Sequence, residues 1–144
     1  MKTSRIVFSM LGVLAVLTFA YSGGGGAAGA DSMAVKWLSP AASAVKKNPI
    51  APTQDSIAAG HRIYSKTCMM YHGKSGDADG PAVIELNIHP VKLSDPQLDT
   101  ESGGALVWKI TTGRKPMPAY GERLSETDRW NLVNYTRTLP KHRA

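Results

Sequence analysis

The sequence lacks most of the features that would indicate a familiar kind of catalytic or nucleic-acid-binding site. It contains one cysteine, Cys68, so no internal disulfide can form. It has no long basic run with interleaved aromatic residues, which argues against nucleic-acid binding. No Ser/His/Asp set, zinc-ligand cluster or glycine-rich phosphate loop is evident, and no segment alternates as a convincing β-strand. These absences favour a helical chain whose chemistry depends on a few side chains.

The first thirty residues have the order of regions found in a secretory signal. Lys2 and Arg5 precede an apolar run, residues 6–21, and small residues follow up to Ala30. The apolar run is shorter than the roughly 20 residues that span a bilayer comfortably. Residues 1–30 are therefore predicted to be a signal peptide cleaved after Ala30, and an uncleaved N-terminal anchor is the alternative. Both interpretations place the remainder in the periplasm or otherwise outside the cytoplasm.

The charge of the chain is modestly positive. The formal net charge of +6 falls to +4 without the first thirty residues, because these carry Lys2 and Arg5 and no acid. The remaining basic residues are scattered, which again disfavours nucleic acid as a partner. Weak attraction to an acidic protein surface, or association with an anionic membrane surface, accounts for a charge of this size.

The rest of the chain is predicted to form one small domain with a lead-in and a tail. Residues 31–52 are interrupted by prolines and are predicted to be an extended lead-in that contacts the domain through Trp37 and Leu38. Residues 53–140 are the predicted domain, and residues 141–144 are a basic tail.

Three helices are predicted in this domain from apolar spacing, capping residues and helix breakers. They cover about residues 53–67, 100–112 and 125–139, and one further helical turn is predicted at residues 82–86. Gly60 lies inside the first helix, where glycine costs about 1 kcal/mol relative to alanine. It is therefore predicted to mark a close crossing with another helix.

The stretch T-C-M-M-Y-H-G, residues 67–73, carries the first chemical signal. The motif C-x-x-C-H attaches c-type haem, and here Cys68 and His72 match it while Tyr71 stands at the second cysteine. His72 would hold the iron, and a thioether from Cys68 would hold the porphyrin edge. Such a bond would also occupy a thiol that is otherwise a liability in an oxidising compartment. The alternative is an exposed loop histidine beside a buried thiol, and this short motif does not exclude it.

Met117 carries the second signal, because it lies between Pro116 and Pro118 in a polar loop. Prolines restrict the backbone and so help to aim a side chain. A thioether sulfur suits haem iron, and Met/His ligation raises the reduction potential. The alternative is a methionine that fills a gap in the core. His89 is a less favoured candidate for the same ligand position.

A histidine that binds a metal usually donates its other ring N–H to a carbonyl or carboxylate. The carbonyl of Pro81 is predicted to meet His72 in this way, and Pro90 is the second choice. Aromatic side chains are predicted to wall the cofactor pocket, although ordinary core packing explains them equally well: Trp108, Trp130, Tyr64 and Tyr135.

Residues 48–139 resemble the bacterial class I, single-haem cytochromes c. The matching stretches, in order, begin with S-I-A-A-G-H-R-I-Y-S-K-T-C-M-M-Y-H-G-K-S-G-D-A-D-G-P-A and V-K-L-S-D. They continue with V-W-K-I-T-T-G-R-K-P-M-P-A-Y and L-S-E-T-D-R-W-N-L-V-N-Y-T-R-T-L. The resemblance implies an all-α, small class I cytochrome c-like fold with three to four helices around a haem. In such a fold the first helix crosses the last near Gly60.

The resemblance also implies the cofactor and its ligands. Haem c would be bound with His72 and Met117 as axial iron ligands. It would have a single thioether link, through Cys68, because Tyr71 replaces the second cysteine.

The implied function is electron transfer outside the cytoplasm, with no catalytic activity of the chain by itself. Redox partner proteins would dock at the exposed haem edge, and an acidic docking surface would suit the positive charge of the chain. Two alternatives remain. One is a haem module that binds or senses a small ligand such as nitric oxide, and the other is a haemless remnant that uses the fold for interaction.

Overall fold

The computed structural model describes residues 37–140. The predicted signal peptide or anchor, the first residues of the lead-in and the basic tail lie outside the described residues. The described part contains helices and no β-strand, which confirms the all-α fold class. The elements are α1 (Ala41–Ala44), α2 (Gln54–Thr67), α3 (Met69–His72), α4 (Ala82–Glu85), a 3₁₀ helix (Pro96–Thr100), α5 (Gly103–Thr112) and α6 (Glu126–Thr136).

The three longest helices begin where their capping residues predict. Thr53, Ser102 and Ser125 each accept, through the side-chain oxygen, a hydrogen bond from the amide three residues later. Such caps satisfy backbone N–H groups that have no partner in the first helical turn. The ends of α2 and α5 also agree with the prediction, whereas α6 ends at Thr136, before the predicted end at residue 139. The chain continues from there in tighter turns, with the Thr138 amide bonded to the Tyr135 carbonyl at 2.8 Å.

The lead-in differs from the prediction of an extended segment, because it contains the single helical turn α1. The carbonyl of Pro40 accepts hydrogen bonds from the amides of Ser43 and Ala44 at 2.9 and 3.0 Å. Pro40 is the residue before this turn, where its missing N–H removes no helical hydrogen bond, so it does not prevent the turn.

Helices α2 and α6 cross closely at Gly60, as the sequence predicts. A Cβ atom added to Gly60 would lie 2.1 Å from the carbonyl oxygen of Asn131 and 2.7 Å from the Cβ of Tyr135. The apolar core lies around this crossing and against α5. Its buried members form two clusters: Leu106, Val107, Trp130 and Val133, and Tyr64, Leu132 and Leu139.

None of the helices in residues 37–140 combines the length and the apolar character needed to cross a membrane.

Candidate functional site

A cleft of about 170 Å³ opens beside the end of α2, and Cys68, His72 and Met117 all line it. We refer to it below as the cleft. Its walls come from four segments that are distant in sequence: Trp37; Thr67, Cys68, Tyr71 and His72; residues 88–91; and residues 114–118 with Tyr120.

Cys68 and His72 lie one helical turn apart at the start of the cleft. Helix α2 ends at Thr67, and Cys68 has φ −112°, so the chain breaks there before α3 resumes. The amide of His72 donates to the carbonyl of Cys68 at 2.9 Å. Gly73 follows with φ +76°, and a Cβ there would lie 1.7 Å from Oδ1 of Asp79. Glycine thus allows the chain to turn away directly after the histidine.

The imidazole of His72 is oriented by a backbone carbonyl. Its Nδ1 lies 3.0 Å from the carbonyl oxygen of Val91. Burial lowers the pKa of His72, and the hydrogen bond to Val91 acts in the opposite direction. In the neutral tautomer that donates Nδ1–H to Val91, the lone pair of Nε2 is available to a metal.

The prediction that Pro81 supplies this carbonyl is wrong for this structure. Pro81 is exposed and directly precedes α4. The adjacent Gly80 packs against the backbone of α3, where an added Cβ would lie 2.4 Å from the carbonyl carbon of Met70. Residues 88–91 return across His72 instead, and Val91 is the neighbour of Pro90, the second choice from the sequence.

Met117 is held in a tight turn within the loop after α5, and this loop forms another wall of the cleft. The amide of Arg114 donates to the carbonyl of Met117 at 3.1 Å, and the amide of Met117 donates to the carbonyl of Arg114 at 2.8 Å. This pair of bonds limits the conformations of the loop that carries the thioether. His89 also lines the cleft, so the structure places both candidate ligands there.

Tyr120 is a cleft residue that the sequence did not reveal as such. It is buried, and its hydroxyl donates to the carbonyl of Thr67 at 3.2 Å, which ties the end of the Met117 loop to the end of α2. Burial raises its pKa. The only signal for this role is its place at the end of the stretch P-M-P-A-Y, two residues after Pro118.

Trp108 does not line the cleft, contrary to the prediction. Its ring lies 6.0 Å from that of Trp37, which is a wall of the cleft. The lead-in therefore supplies the tryptophan that α5 was expected to supply. The other predicted wall residues are also absent from the cleft; Tyr64 and Trp130 are core residues, and Tyr135 packs against Tyr64.

The thiol of Cys68 is half-buried and is not an activated nucleophile. Burial raises its pKa, and the hydroxyl of Thr67, 3.3 Å from the sulfur, lowers it by a smaller amount. A reactive thiolate requires a depressed pKa. In residues 37–140, moreover, no three His, Cys, Asp or Glu side chains come together as a metal site.

The donor set of the cleft fits an iron porphyrin. Haem iron is held by one or two axial ligands from the protein, and an imidazole with a thioether is one of the known pairs. His72 and Met117 supply this pair from two separate segments, and Cys68 adds a thiol one helical turn before the imidazole.

Comparisons with known proteins point to the cytochromes c. Residues 55–135 match the family model described as cytochrome C oxidase, cbb3-type, subunit III. Cytochrome c6 from Alaria esculenta is 29% identical over 79 residues, which are 55% of this chain and 86% of the relative. Cytochrome c6 from a Synechococcus strain is 30% identical over 79 residues, 55% of this chain and 66% of the relative.

A solved structure is also similar. It is a chain of the Kuenenia stuttgartiensis reducing HAO-like protein complex, with a TM-score of 0.56 and 30% sequence identity. The match covers 65% of this chain and 47% of that one, so this chain spans about half the length of its structural relative.

The family model covers more than half of the 144 residues. A match to this family implies that the cofactor is haem c, with its iron, and that the general activity is electron transfer. The chain therefore belongs to the cytochrome c family, in the group described by the cbb3-type cytochrome c oxidase subunit III model.

Proposed function

We propose that the protein is a periplasmic electron carrier, or a small electron-transfer subunit, with one haem c bound between His72 and Met117 and attached through Cys68 alone. The observation that carries this proposal is the cleft, because it brings these three side chains together from segments 49 residues apart in the sequence. When bound, the haem supplies one-electron chemistry at its iron.

The surroundings of His72 suit an iron ligand. The Val91 carbonyl holds Nδ1, which sets the orientation of the ring and leaves Nε2 for the metal. Burial lowers the pKa of His72, so the neutral imidazole that a metal requires is favoured.

Met117 would be the second ligand, held by the reciprocal hydrogen bonds with Arg114. A thioether ligand opposite an imidazole raises the reduction potential of haem. His89 lies in the same cleft and is the competing candidate, so the two must be separated by experiment.

Cys68 would form the one covalent link. Its S–H would supply this link by addition to one vinyl group of the porphyrin, with the sulfur on one carbon and the hydrogen on the other, so the link would require no oxidant. Tyr71 lines the cleft at the position of the second cysteine of the motif and has no thiol to add to the other vinyl group.

The size and charge of the cleft suit exchange of electrons with a partner. Its volume of about 170 Å³ is smaller than the roughly 300–1,000 Å³ of pockets that enclose drug-sized ligands. A porphyrin held there would keep part of its edge at the surface. Arg114 and Lys115 are exposed at the rim, so a redox partner with an acidic docking surface would be attracted. The same charge would support weak association with an anionic membrane surface.

Haem staining of a denaturing gel, together with a pyridine haem spectrum, tests the covalent link. After maturation in the periplasm, haem is expected to stay with the chain, with an absorption band between the b-type and the two-thioether positions. Tyr71→Cys should move the band to the two-thioether position, and Cys68→Ala should release the haem on denaturation. Haem that washes out of the wild-type protein would refute the covalent link.

The axial ligands are tested with a matched set of alanine variants. Met117→Ala should abolish the sulfur-to-iron charge-transfer band of the oxidised protein, whereas His89→Ala should leave it unchanged. A wild-type protein that lacks this band, and whose haem spectrum changes in His89→Ala but not in Met117→Ala, would assign the ligand to His89. Ready binding of carbon monoxide to the reduced wild-type protein would instead favour a haem module for small ligands, and a colourless matured protein would favour a haemless interaction module.

A further inference from the structure

The described part of the lead-in, residues 37–52, lies before the segment matched by the family model, which begins at residue 55. It is nevertheless part of the wall of the cleft, through Trp37. This segment of the chain therefore contributes to a site whose other walls belong to the domain shared with the family.

Hydrogen bonds hold the lead-in to α5 and α6. The hydroxyl of Ser102 donates to the carbonyl of Ala44 at 2.6 Å. The amide nitrogen Nδ2 of Asn48 donates to Oδ1 of Asn134 at 2.7 Å, and Nδ2 of Asn134 donates to the carbonyl of Ile50 at 3.1 Å. These bonds anchor the lead-in at several points after Trp37.

The contact of α1 with α5 is close enough to require glycine. A Cβ atom at Gly104 would lie 2.1 Å from the carbonyl oxygen of Ser43 and 2.7 Å from that of Lys46. Backbone atoms at such distances cannot be relieved by a side-chain rotation, so alanine at this position would push α1 away from α5.

Trp37 lies close to one aromatic ring and to two cationic side chains. Its ring centroid is 6.0 Å from that of Trp108, 5.7 Å from Nζ of Lys109 and 5.1 Å from Cζ of Arg114. Lys109 also forms an ion pair with Glu101, which limits where its ammonium group can go. Cations within about 6 Å of an indole face are attracted to it.

Arg114 connects this cluster to the Met117 turn. The residue whose guanidinium lies over Trp37 is the one whose backbone exchanges two hydrogen bonds with Met117. Movement of Arg114 away from Trp37 would therefore loosen the turn that carries the thioether.

We propose that Trp37 is a positioning residue for Met117, and that the lead-in acts as a clamp that keeps the Met117 turn closed over the cleft. The proposal rests on Met117 being the iron ligand, as proposed above. Through this clamp, a segment outside the family domain restricts access of external ligands to the iron.

The first test is ligand exchange in the haem-loaded, full-length protein, with imidazole as the probe for the oxidised iron. Trp37→Ala should raise the apparent affinity for imidazole about tenfold, because the cation–π contacts of Arg114 and Lys109 are lost. Trp37→Phe should restore part of the wild-type value. Leu38→Ala, a change at an exposed neighbour in the same segment, is the matched control and should have no effect.

The second test does not depend on the iron. Hydrogen exchange of the Arg114 and Met117 amides reports directly on the turn, and Trp37→Ala should accelerate it about tenfold. Gly104→Ala should act in the same direction, because it displaces α1 and with it the lead-in that carries Trp37, while it substitutes none of the residues that line the cleft. Leu38→Ala should again resemble the wild type.

The outcomes separate this inference from the proposed ligand set. Unchanged exchange of the two amides in Trp37→Ala would overturn the clamp, whatever the iron ligands are. Faster exchange with unchanged imidazole affinity would overturn the positioning role of Trp37. If the wild-type spectrum lacks sulfur ligation, the proposed Met117 ligand fails, while faster exchange in both variants would still support the clamp.

Discussion

Gly60→Ala probes the helix crossing on which the domain depends. Gly60 lies in α2 where it meets α6, and an added methyl group would lie 2.1 Å from the carbonyl oxygen of Asn131. Ordinary van der Waals contact begins near 3.4 Å. Because the obstacle is backbone, the two helices must separate by about 1 Å or tilt, and side-chain rotation cannot absorb the overlap.

Three effects set the magnitude. Overpacking in a well-packed core costs about 1–3 kcal/mol. Separation of the helices also stretches the hydrogen bond from Ser56 to Asn131, now 2.8 Å, and a typical hydrogen bond contributes about 1 kcal/mol. Alanine recovers about 1 kcal/mol of helix propensity. The expected net loss in the free energy of unfolding is therefore about 2 kcal/mol, or a decrease of about 10 °C in Tm.

Urea and thermal unfolding of the full-length protein, followed by circular dichroism, measure this loss. Gly103→Ala is the matched control, because it is also a helical glycine and an added Cβ there would lie 3.5 Å from the Trp130 ring, an ordinary contact. The control should be as stable as the wild type or slightly more so. A Gly60→Ala variant as stable as the wild type would refute the close crossing.

Two further predictions concern buried polar groups. Asn134→Ala should lower the free energy of unfolding by about 2–3 kcal/mol in a urea titration, since it removes one hydrogen-bond partner from each of Ser56 and Asn48; a loss under about 0.5 kcal/mol would contradict the role of this network. Tyr64→Phe should cost about 1–3 kcal/mol, because it removes the 2.6 Å hydrogen bond to the Gly73 carbonyl. Burial raises the pKa of Tyr64, so the folded state keeps a proton that the unfolded chain releases. The free energy of unfolding should therefore be at its full value below the ordinary tyrosine pKa of about 10 and should fall as the pH rises above it. This fall should be less steep in Tyr64→Phe, and an equally steep fall in the two proteins would contradict the link between Tyr64 and the pH dependence.

Several features of the fold could be predicted from the sequence because they depend on neighbouring residues. The capping residues Thr53, Ser102 and Ser125 mark the helix starts by hydrogen bonds that span three positions. Gly60 indicates the helix crossing because glycine inside a helix lowers helix stability, and a close contact is a reason for a glycine at such a position. The turn α1 differs from the predicted extended lead-in, because a proline directly before a helical turn removes none of its hydrogen bonds.

The buried polar network was not predicted at all. Ser56, Asn131 and Asn134 are polar residues that the apolar pattern assigns to no particular face. Their burial depends on mutual hydrogen bonds across α2 and α6, and those partners are about 75 positions apart in the chain. No pattern among residues that are close in sequence can indicate such a pairing.

By itself, the sequence determined the helices and the chemical types available for the site: an imidazole one turn after a single thiol, and a methionine held between prolines. Tertiary structure alone decided which carbonyl orients His72 and which tryptophan reaches the cleft. Val91 and Trp37 take the places expected for Pro81 and Trp108. The physical reason is the sequence separation of the interacting residues. Helix caps and turns form between residues a few positions apart, whereas the walls of the cleft depend on how segments distant in sequence pack together.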